Sequence, residues 1–447
     1  MAATAPRGVR PGLLVTGASE VVTMAGGVRA GGSQADPAAL RVEDAQSAGP
    51  ASPAVAAYEG RVLAAGRRDE VERELTGLGI AADQLELLDA AGGLVTPGLI
   101  DPHTHLLFGG TRHAELALRQ AGYGYLDILA AGGGILQTVR MTRAASDDEL
   151  LAHGRRWLAE MLRHGVTTVE AKSGYGLDTE TELRLLRLAA QLAGEGPVEV
   201  VPTFLGAHAV APEFRDRPDA SAAYLDSVID EQLPAVAEQA IATSCDVFCE
   251  RGVFEPAAAR RLLEAARRLG LAARMHADEL AESGAAELAA DLGALSADHL
   301  AAVGDGGIEA LGRAADSGQP VVATLLPATT FYLLGEQYAP ARRLIERGVP
   351  VAIGTDFNPG TSPTPSLPLA LSLATLKLGL SAAEALAAAT INAAAALGLA
   401  DGHGSLEPGK HADLVIWRVP SHELLPYWLG AELVDTVVKR GRIVHRA

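Results

Sequence analysis

Eight short runs of apolar, largely β-branched residues recur through the middle of the chain, at residues 94–105, 166–170, 198–204, 246–249, 272–276, 295–299, 321–325 and 351–356. Runs of this length bounded by turn residues read as buried strands. Most are separated by stretches with apolar residues at helical spacing, such as 147–163, 179–193 and 256–269. Strands alternating with helices build parallel sheets. Eight such units predict an α/β fold of the (β/α)8 TIM barrel type, whose chemistry sits at the C-terminal strand ends. No repeat of fixed period accompanies the pattern, so the barrel rests on the alternation itself.

The two ends of the chain follow a different pattern. Residues 60–66, 412–417 and 434–439 read as strands, with Gly404 and Gly409 as turn residues, so two β-rich ends flank the middle. Residues 26–57 are rich in Ala, Gly, Pro and Ser and read as a solvated loop or linker. The most apolar long stretch, residues 367–400, is interrupted by Lys377 and Glu384. Its Ala and Leu lie at helical spacing, so buried or amphipathic helix is expected rather than a membrane span.

Composition narrows the class. The 447 residues are 48% hydrophobic, ample for a sizeable core, and disorder is excluded for most of the length. A formal net charge of -18 disfavours nucleic acid or an anionic membrane as partner. The two cysteines, Cys245 and Cys249, lie about 13 Å apart on an extended strand, too far for a mutual disulfide. Two buried free thiols in a reducing cytosol are expected. Arg7 and Arg10 precede an apolar stretch of only three residues at 13–15, too short for a signal-peptide core, so a cytoplasmic protein is expected.

Polar residues stand where the predicted strands end. The first run closes on His103-Thr-His105, the second on Glu170, the fifth on His276, the sixth on His299 and the eighth on Asp356, while His208 follows the third. Side chains at i and i+2 of a strand leave the same face about 7 Å apart along the backbone, so His103 and His105 can converge on one cation. An unpartnered buried polar group costs roughly 1 to 3 kcal/mol, so this many polar strand ends favour a shared site. His103, His105, His276 and Asp356 supply three imidazoles and a carboxylate, a set suited to zinc or iron with water in an open position.

For other residues two readings stand at this point. Asp356 is a metal ligand or a cap ahead of Asn358-Pro-Gly360. Glu279 is a first-turn helix acid favoured by the dipole or a proton shuttle for a metal-bound water. His299 is held neutral by Asp298 as structure, or polarises a substrate carbonyl. Arg112, after Phe108-Gly-Gly-Thr111, is a surface charge or a bidentate carboxylate anchor. Tyr175 sits in Lys172-Ser-Gly-Tyr-Gly176, a tight turn or a substrate loop. Gly132-Gly-Gly134 lacks the spacing of a nucleotide-binding loop and reads as a hinge or lid. Cys249 has no evident base beside it and reads as packing.

Taken together these segments resemble the metal-dependent amidohydrolase superfamily over nearly the whole chain. The match narrows to the branch that opens the ring of 4-imidazolone-5-propanoate in histidine degradation. The likeness is carried by Pro97-Gly-Leu-Ile-Asp-Pro-His-Thr-His105, Phe108-Gly-Gly-Thr-Arg112, Gly132-Gly-Gly-Ile-Leu-Gln-Thr-Val139 and Glu170-Ala-Lys-Ser-Gly-Tyr-Gly176. Leu205-Gly-Ala-His208, His276-Ala-Asp-Glu279, Ser296-Ala-Asp-His299, Leu326-Pro-Ala-Thr-Thr-Phe331 and Gly354-Thr-Asp-Phe-Asn-Pro-Gly-Thr361 extend it. The histidine pair marks only the superfamily, whereas Lys-Ser-Gly-Tyr-Gly and Asp-Phe-Asn-Pro-Gly are far more specific.

The resemblance implies a metal held by His103, His105, His276 and Asp356, with Asp356 or Glu279 taking the proton of the water and His299 acting on the carbonyl. It implies substrate contacts from Arg112, Tyr175 and His208, with Asn358, Gly360 and Thr361 on the product side. It further implies a composite β-sandwich from residues 1–92 and 400–447 beside a barrel at 93–399, and a homodimer. In binuclear relatives a carboxylated lysine ends the fourth barrel strand. Here that strand ends at Phe248-Cys-Glu-Arg251 and Lys172 belongs to the second, so one metal, Zn or Fe, is expected. The implied activity is hydrolysis of the ring amide of an anionic heterocycle to N-formimidoyl-L-glutamate. The rivals are a deaminase or chlorohydrolase of the superfamily, and a non-catalytic barrel used as a scaffold.

Overall fold

The structure, a computed structural model, describes residues 11–41, 52–123, 128 and 133–447. The eight predicted barrel strands form one parallel sheet in sequence order: β1 (Leu99–Asp101), β2 (Val166–Lys172), β3 (Glu199–Ala207), β4 (Ser244–Cys249), β5 (Ala272–Ala277), β6 (Ser296–His299), β7 (Val322–Leu325) and β8 (Val351–Ile353). A parallel bridge between Thr104 and Phe357 brings the extensions of β1 and β8 together and nearly closes the barrel. The strands are buried on both faces because helices cover the outside, which is why they read as apolar runs without alternation. The predicted helices form at Asp147–Arg163, Thr179–Glu195 and Pro256–Arg268. The first starts on a capping box in which the Ser146 hydroxyl accepts from the Glu149 amide and the Glu149 carboxylate accepts from Ser146. Its apolar face, including Leu150, Leu151, Leu158 and Met161, joins the main core.

The chain ends build two further sheets that pack as a composite sandwich. One is four-stranded, in the order Arg61–Arg67, Pro53–Tyr58, Gly12–Thr16, Leu85–Asp89. The other is six-stranded, in the order Arg442–Arg446, Val434–Lys439, Leu414–Trp417, Leu94–Pro97, Glu20–Val22, Ala39–Arg41. Leu13, Val15, Val55, Val62, Val95, Leu414, Ile416 and Val438 fill the space between them.

Two sequence expectations need correction. The first apolar run, 94–105, is not one strand. Leu94–Pro97 pairs antiparallel with Leu414–Trp417 in the six-stranded sheet, and only Leu99–Asp101 enters the barrel. Apolar content cannot distinguish a strand of one sheet from a strand of the next. Nor are residues 26–57 simply a loop. Where described, they supply a 3₁₀ turn at Gly31–Ala35 and strands at Ala39–Arg41 and Pro53–Tyr58. The buried amide of Gln34 accepts from Val351 N and donates to Val351 O, both at 3.1 Å, and so fastens this segment to β8. Residues 42–51 lie outside the described residues.

The apolar stretch at 367–400 forms three helices, Leu367–Leu378, Ala382–Ala388 and Ile391–Ala396, much of which is buried. Among the described residues no helix is long and apolar enough to cross a membrane. Cys245 and Cys249 are free and buried, as expected, and burial raises both thiols well above their ordinary range.

Candidate metal centre and active site

The strand ends converge as expected. His103 and His105 flank Thr104, so their rings leave the same face of the extension of β1. His276 is the penultimate residue of β5, His299 ends β6 and Asp356 lies three residues beyond β8. One ligand atom from each of His103, His105 and His276 lies within 4.8 Å of the other two, and the same holds for His103, His299 and Asp356. Asp356 Oδ1 is 3.6 Å from His103 Nε2 and 3.5 Å from His105 Nε2, while its Oδ2 accepts from the Thr329 hydroxyl at 2.7 Å. Asp356 therefore turns its free oxygen to the imidazoles and does not cap a turn. His299 and Asp356 adopt φ of 75° and 52°, left-handed conformations that non-glycine residues hold only when the surroundings impose them.

These groups fit a divalent metal ion. The Nε2 of His103 is fully buried and has no hydrogen-bond partner among the described residues. Its Nδ1 lies 2.7 Å from Asp298 Oδ2, which leaves the Nε2 lone pair directed at the cluster. Burial, followed by the positive charge of Lys172, holds His103 well below its ordinary pKa, and burial does the same for His105 and His299. Neutral imidazoles are the form that binds metal. His276 shifts the other way. Burial opposes its charge, but Asp246, whose Oδ2 is 3.1 Å from His276 Nδ1, outweighs burial and raises the pKa. The Asp246 carboxylate behind His276 also favours a cation at the cluster.

Beneath the imidazoles lies a layer of buried charge in which Glu170 and Asp298 are joined by Lys172, Asp246 and Arg274. Lys172 Nζ sits 2.6 Å from Asp246 and 3.0 Å from Glu170, and Arg274 bridges Glu170 and Asp298 at 3.2 Å each. Three carboxylates against two cations leave an excess negative charge under the cluster. Asp298 therefore braces His103, whereas the sequence reading paired it with His299. The available signal was periodicity: Glu170 and Lys172, and Arg274 and His276, stand at i and i+2 and so face the barrel interior together.

Above the cluster opens a cavity of about 630 Å³, lined among others by His105, Arg112, Tyr175, His208, Glu279 and Asp356. A smaller cavity of about 270 Å³ adjoins it and shares Glu279 and His299. His208 stacks on His105 with ring centroids 4.8 Å apart and its Nδ1 meets Gly174 O at 3.0 Å. Tyr175 packs against both rings. Glu279 lies in a bend after β5, and the next helix begins only at Ala285, so it is not a first-turn helix acid. Burial, reinforced by the Asp356 charge, pushes its carboxyl up to about 8, and burial pushes Asp356 up to about 6. Glu279 Oε2 approaches His299 Nε2 to 3.6 Å.

Arg112 is buried at the cavity wall, which excludes the surface-charge reading. Asn358 and Thr361 also border the cavity. The Asn358 side chain is occupied by its own loop, accepting from the Gly360 and Thr361 amides and donating to Asp356 O at 2.7 Å. Gly360 lies against Arg112, and a Cβ there would collide with the guanidinium. Of Gly132-Gly-Gly134, Gly132 lies outside the described residues, and Gly134 caps the helix Ile135–Ala144.

A barrel with three imidazoles and a carboxylate converging at its C-terminal mouth is the architecture of a metal-dependent hydrolase. The chain belongs to the amidohydrolase family, which matches residues 94–444. Among curated relatives, the imidazolonepropionase of Geobacillus kaustophilus is 52% identical over 388 residues, covering 86% of this chain and 88% of the relative. The imidazolonepropionase of Symbiobacterium thermophilum is 48% identical over 433 residues, 97% of each chain. A triazine hydrolase variant of known structure superposes with a TM-score of 0.70 at 17% identity, covering 98% of this chain and 95% of that one, and supports the fold alone.

Proposed function

We propose that this protein hydrolyses the ring amide of 4-imidazolone-5-propanoate to N-formimidoyl-L-glutamate. The observation that carries the reading is Arg112: a buried guanidinium in the wall of the same cavity that the imidazole cluster floors, suited to an anionic ring substrate. One metal ion per subunit, zinc or iron, would be held by His103, His105, His276 and Asp356. A bound ion of this kind supplies Lewis acidity and brings the pKa of water toward about 7.

The chain's own groups do the rest. Arg112 pairs with the propionate and fixes the ring in the cavity, with Tyr175 and His208 along its side. Asn358, Gly360 and Thr361 shape the product side, Asn358 through the loop it holds rather than by direct contact. Glu279, kept near neutral pKa by burial, takes a proton from the attacking water. His299 faces the carbonyl and stabilises the charge that develops on its oxygen. Glu279 then passes the proton to the departing ring nitrogen, the C–N bond breaks, and the carbonyl carbon becomes the new carboxylate. Asp356 is less suited to carry the proton because Thr329 holds one oxygen and the imidazoles face the other. A cytoplasmic homodimer, as the family resemblance implies, completes the proposal, and the net charge of -18 disfavours nucleic acid or an anionic membrane as partner.

The test is turnover of the metal-loaded enzyme, followed by ultraviolet absorbance, on 4-imidazolone-5-propanoate beside cytosine and guanine. Turnover of the imidazolone alone is expected, and Arg112→Ala should lower its kcat/KM by about 1.5 to 3 kcal/mol in transition-state terms. Deamination of either base without ring opening of the imidazolone would replace this reading with the deaminase one.

A further inference from the structure

Arg112 is itself held by a residue that no motif marks. Glu115, in the first turn of the short helix Glu115–Gln120, is 4% exposed, and both of its carboxylate oxygens are engaged. Oε1 accepts from Arg112 Nε at 3.0 Å and from the Gly134 amide at 2.8 Å. Oε2 accepts from Arg112 Nη2 at 2.9 Å and from Arg119 Nη2 at 3.1 Å. The Nε edge of the guanidinium is thus taken, while among the described residues Nη1 has no hydrogen bond and lies over the backbone of Gly360.

Two consequences follow from this arrangement. A guanidinium gripped on one edge and packed on a glycine presents only its Nη1/Nη2 edge, the fork that matches a carboxylate. Glu115 would also cancel the charge of Arg112 if the pair stood alone, but Arg119 restores a net positive charge to the trio. Arg119 is buried and lies over the Tyr332 ring, 5.3 Å from its centroid. The same Oε1 ties the arginine to Gly134, whose φ of 67° and ψ of -153° only glycine holds without strain. That glycine starts the helix whose Ile135 and Leu136 line the cavity.

We propose that Glu115 is a positioning residue for substrate binding: with Arg119 it aims the free edge of Arg112 at the propionate and locks the glycine loop that carries the apolar wall. This rests on the reading of Arg112 as the propionate anchor. The experiment compares Glu115→Gln, Arg119→Gln and Arg112→Ala, each loaded with metal, on 4-imidazolone-5-propanoate and on the same ring bearing a neutral propionamide. Glu115→Gln should raise KM for the propionate about 10- to 100-fold while kcat changes no more than about threefold, because the reacting centre is untouched. The KM for the propionamide should stay near wild type. Arg119→Gln should show a smaller rise of the same kind, about three- to tenfold, and decides the matter if Glu115→Gln does not fold. A rise with Arg112→Ala but none with either partner variant overturns the role of Glu115 and leaves the anchor standing. No rise with Arg112→Ala overturns both. An equal loss on both substrates, carried by kcat, marks Glu115 as structural only and also overturns the proposal.

Discussion

Two layers of the barrel lie one above the other and differ in how their charge is held. In the lower, Lys172, Glu170, Asp246, Arg274 and Asp298 are buried and mutually paired, at 2.6 to 3.6 Å. In the upper, burial holds the His103, His105 and His299 imidazoles well below their ordinary pKa, and His299 and Asp356 hold left-handed backbone conformations. Buried charge held by opposite charge is what a scaffold needs, since a lone buried ion costs several kcal/mol. A strained backbone beside uncharged imidazoles persists only where the surroundings impose it. In the proposed mechanism the upper residues act and the lower ones hold them in place, although both layers are buried.

The largest effect that would break this division lies in the upper layer. Glu279→Gln and His299→Asn should keep the metal and the melting temperature yet lower kcat by roughly 10² to 10⁴-fold, as proton transfer and oxyanion stabilisation are worth. Metal content and kcat on the same preparations decide it. His299 belongs to one of the two ligand groupings, so loss of metal from His299→Asn would move it among the ligands.

A smaller effect is expected one layer down. Asp298→Asn keeps a side chain of the same shape beside His103 Nδ1 but removes the charge that orients the ring and pairs with Arg274. Metal affinity should weaken by about 10- to 100-fold, read by competition with a chromogenic chelator, with kcat at saturating metal much less affected. A full loss of kcat at saturating metal would mean that the lower layer takes part in the chemistry.

How much of this was legible in the sequence divides along similar lines. The eight barrel strands were readable because strands buried on both faces must be apolar throughout, and the cluster was readable because polar residues interrupt those strands at their ends. Arg112 was recognised as a candidate, but its burial was not, and Glu115 was missed. A glutamate three residues after an arginine looks like any surface i,i+3 pair until the cavity is in place. The pairing of Asp298 with His103 joins positions 195 residues apart, and no local pattern encodes it. The short strand at Ala39–Arg41 sits in a composition that suggests loop, and it is set by the edge of a sheet built from distant segments.

The central claim is that His103, His105, His276 and Asp356 hold one catalytic metal for ring opening. Its most direct test is to strip the protein with a chelator, return zinc or iron in measured increments, and follow loss of 4-imidazolone-5-propanoate beside the His276→Ala variant. Stripped protein should be inactive, activity should return in proportion up to about one equivalent, and His276→Ala should neither retain metal nor recover. Full turnover by metal-free protein, a requirement for two equivalents, or wild-type metal retention by His276→Ala would contradict it.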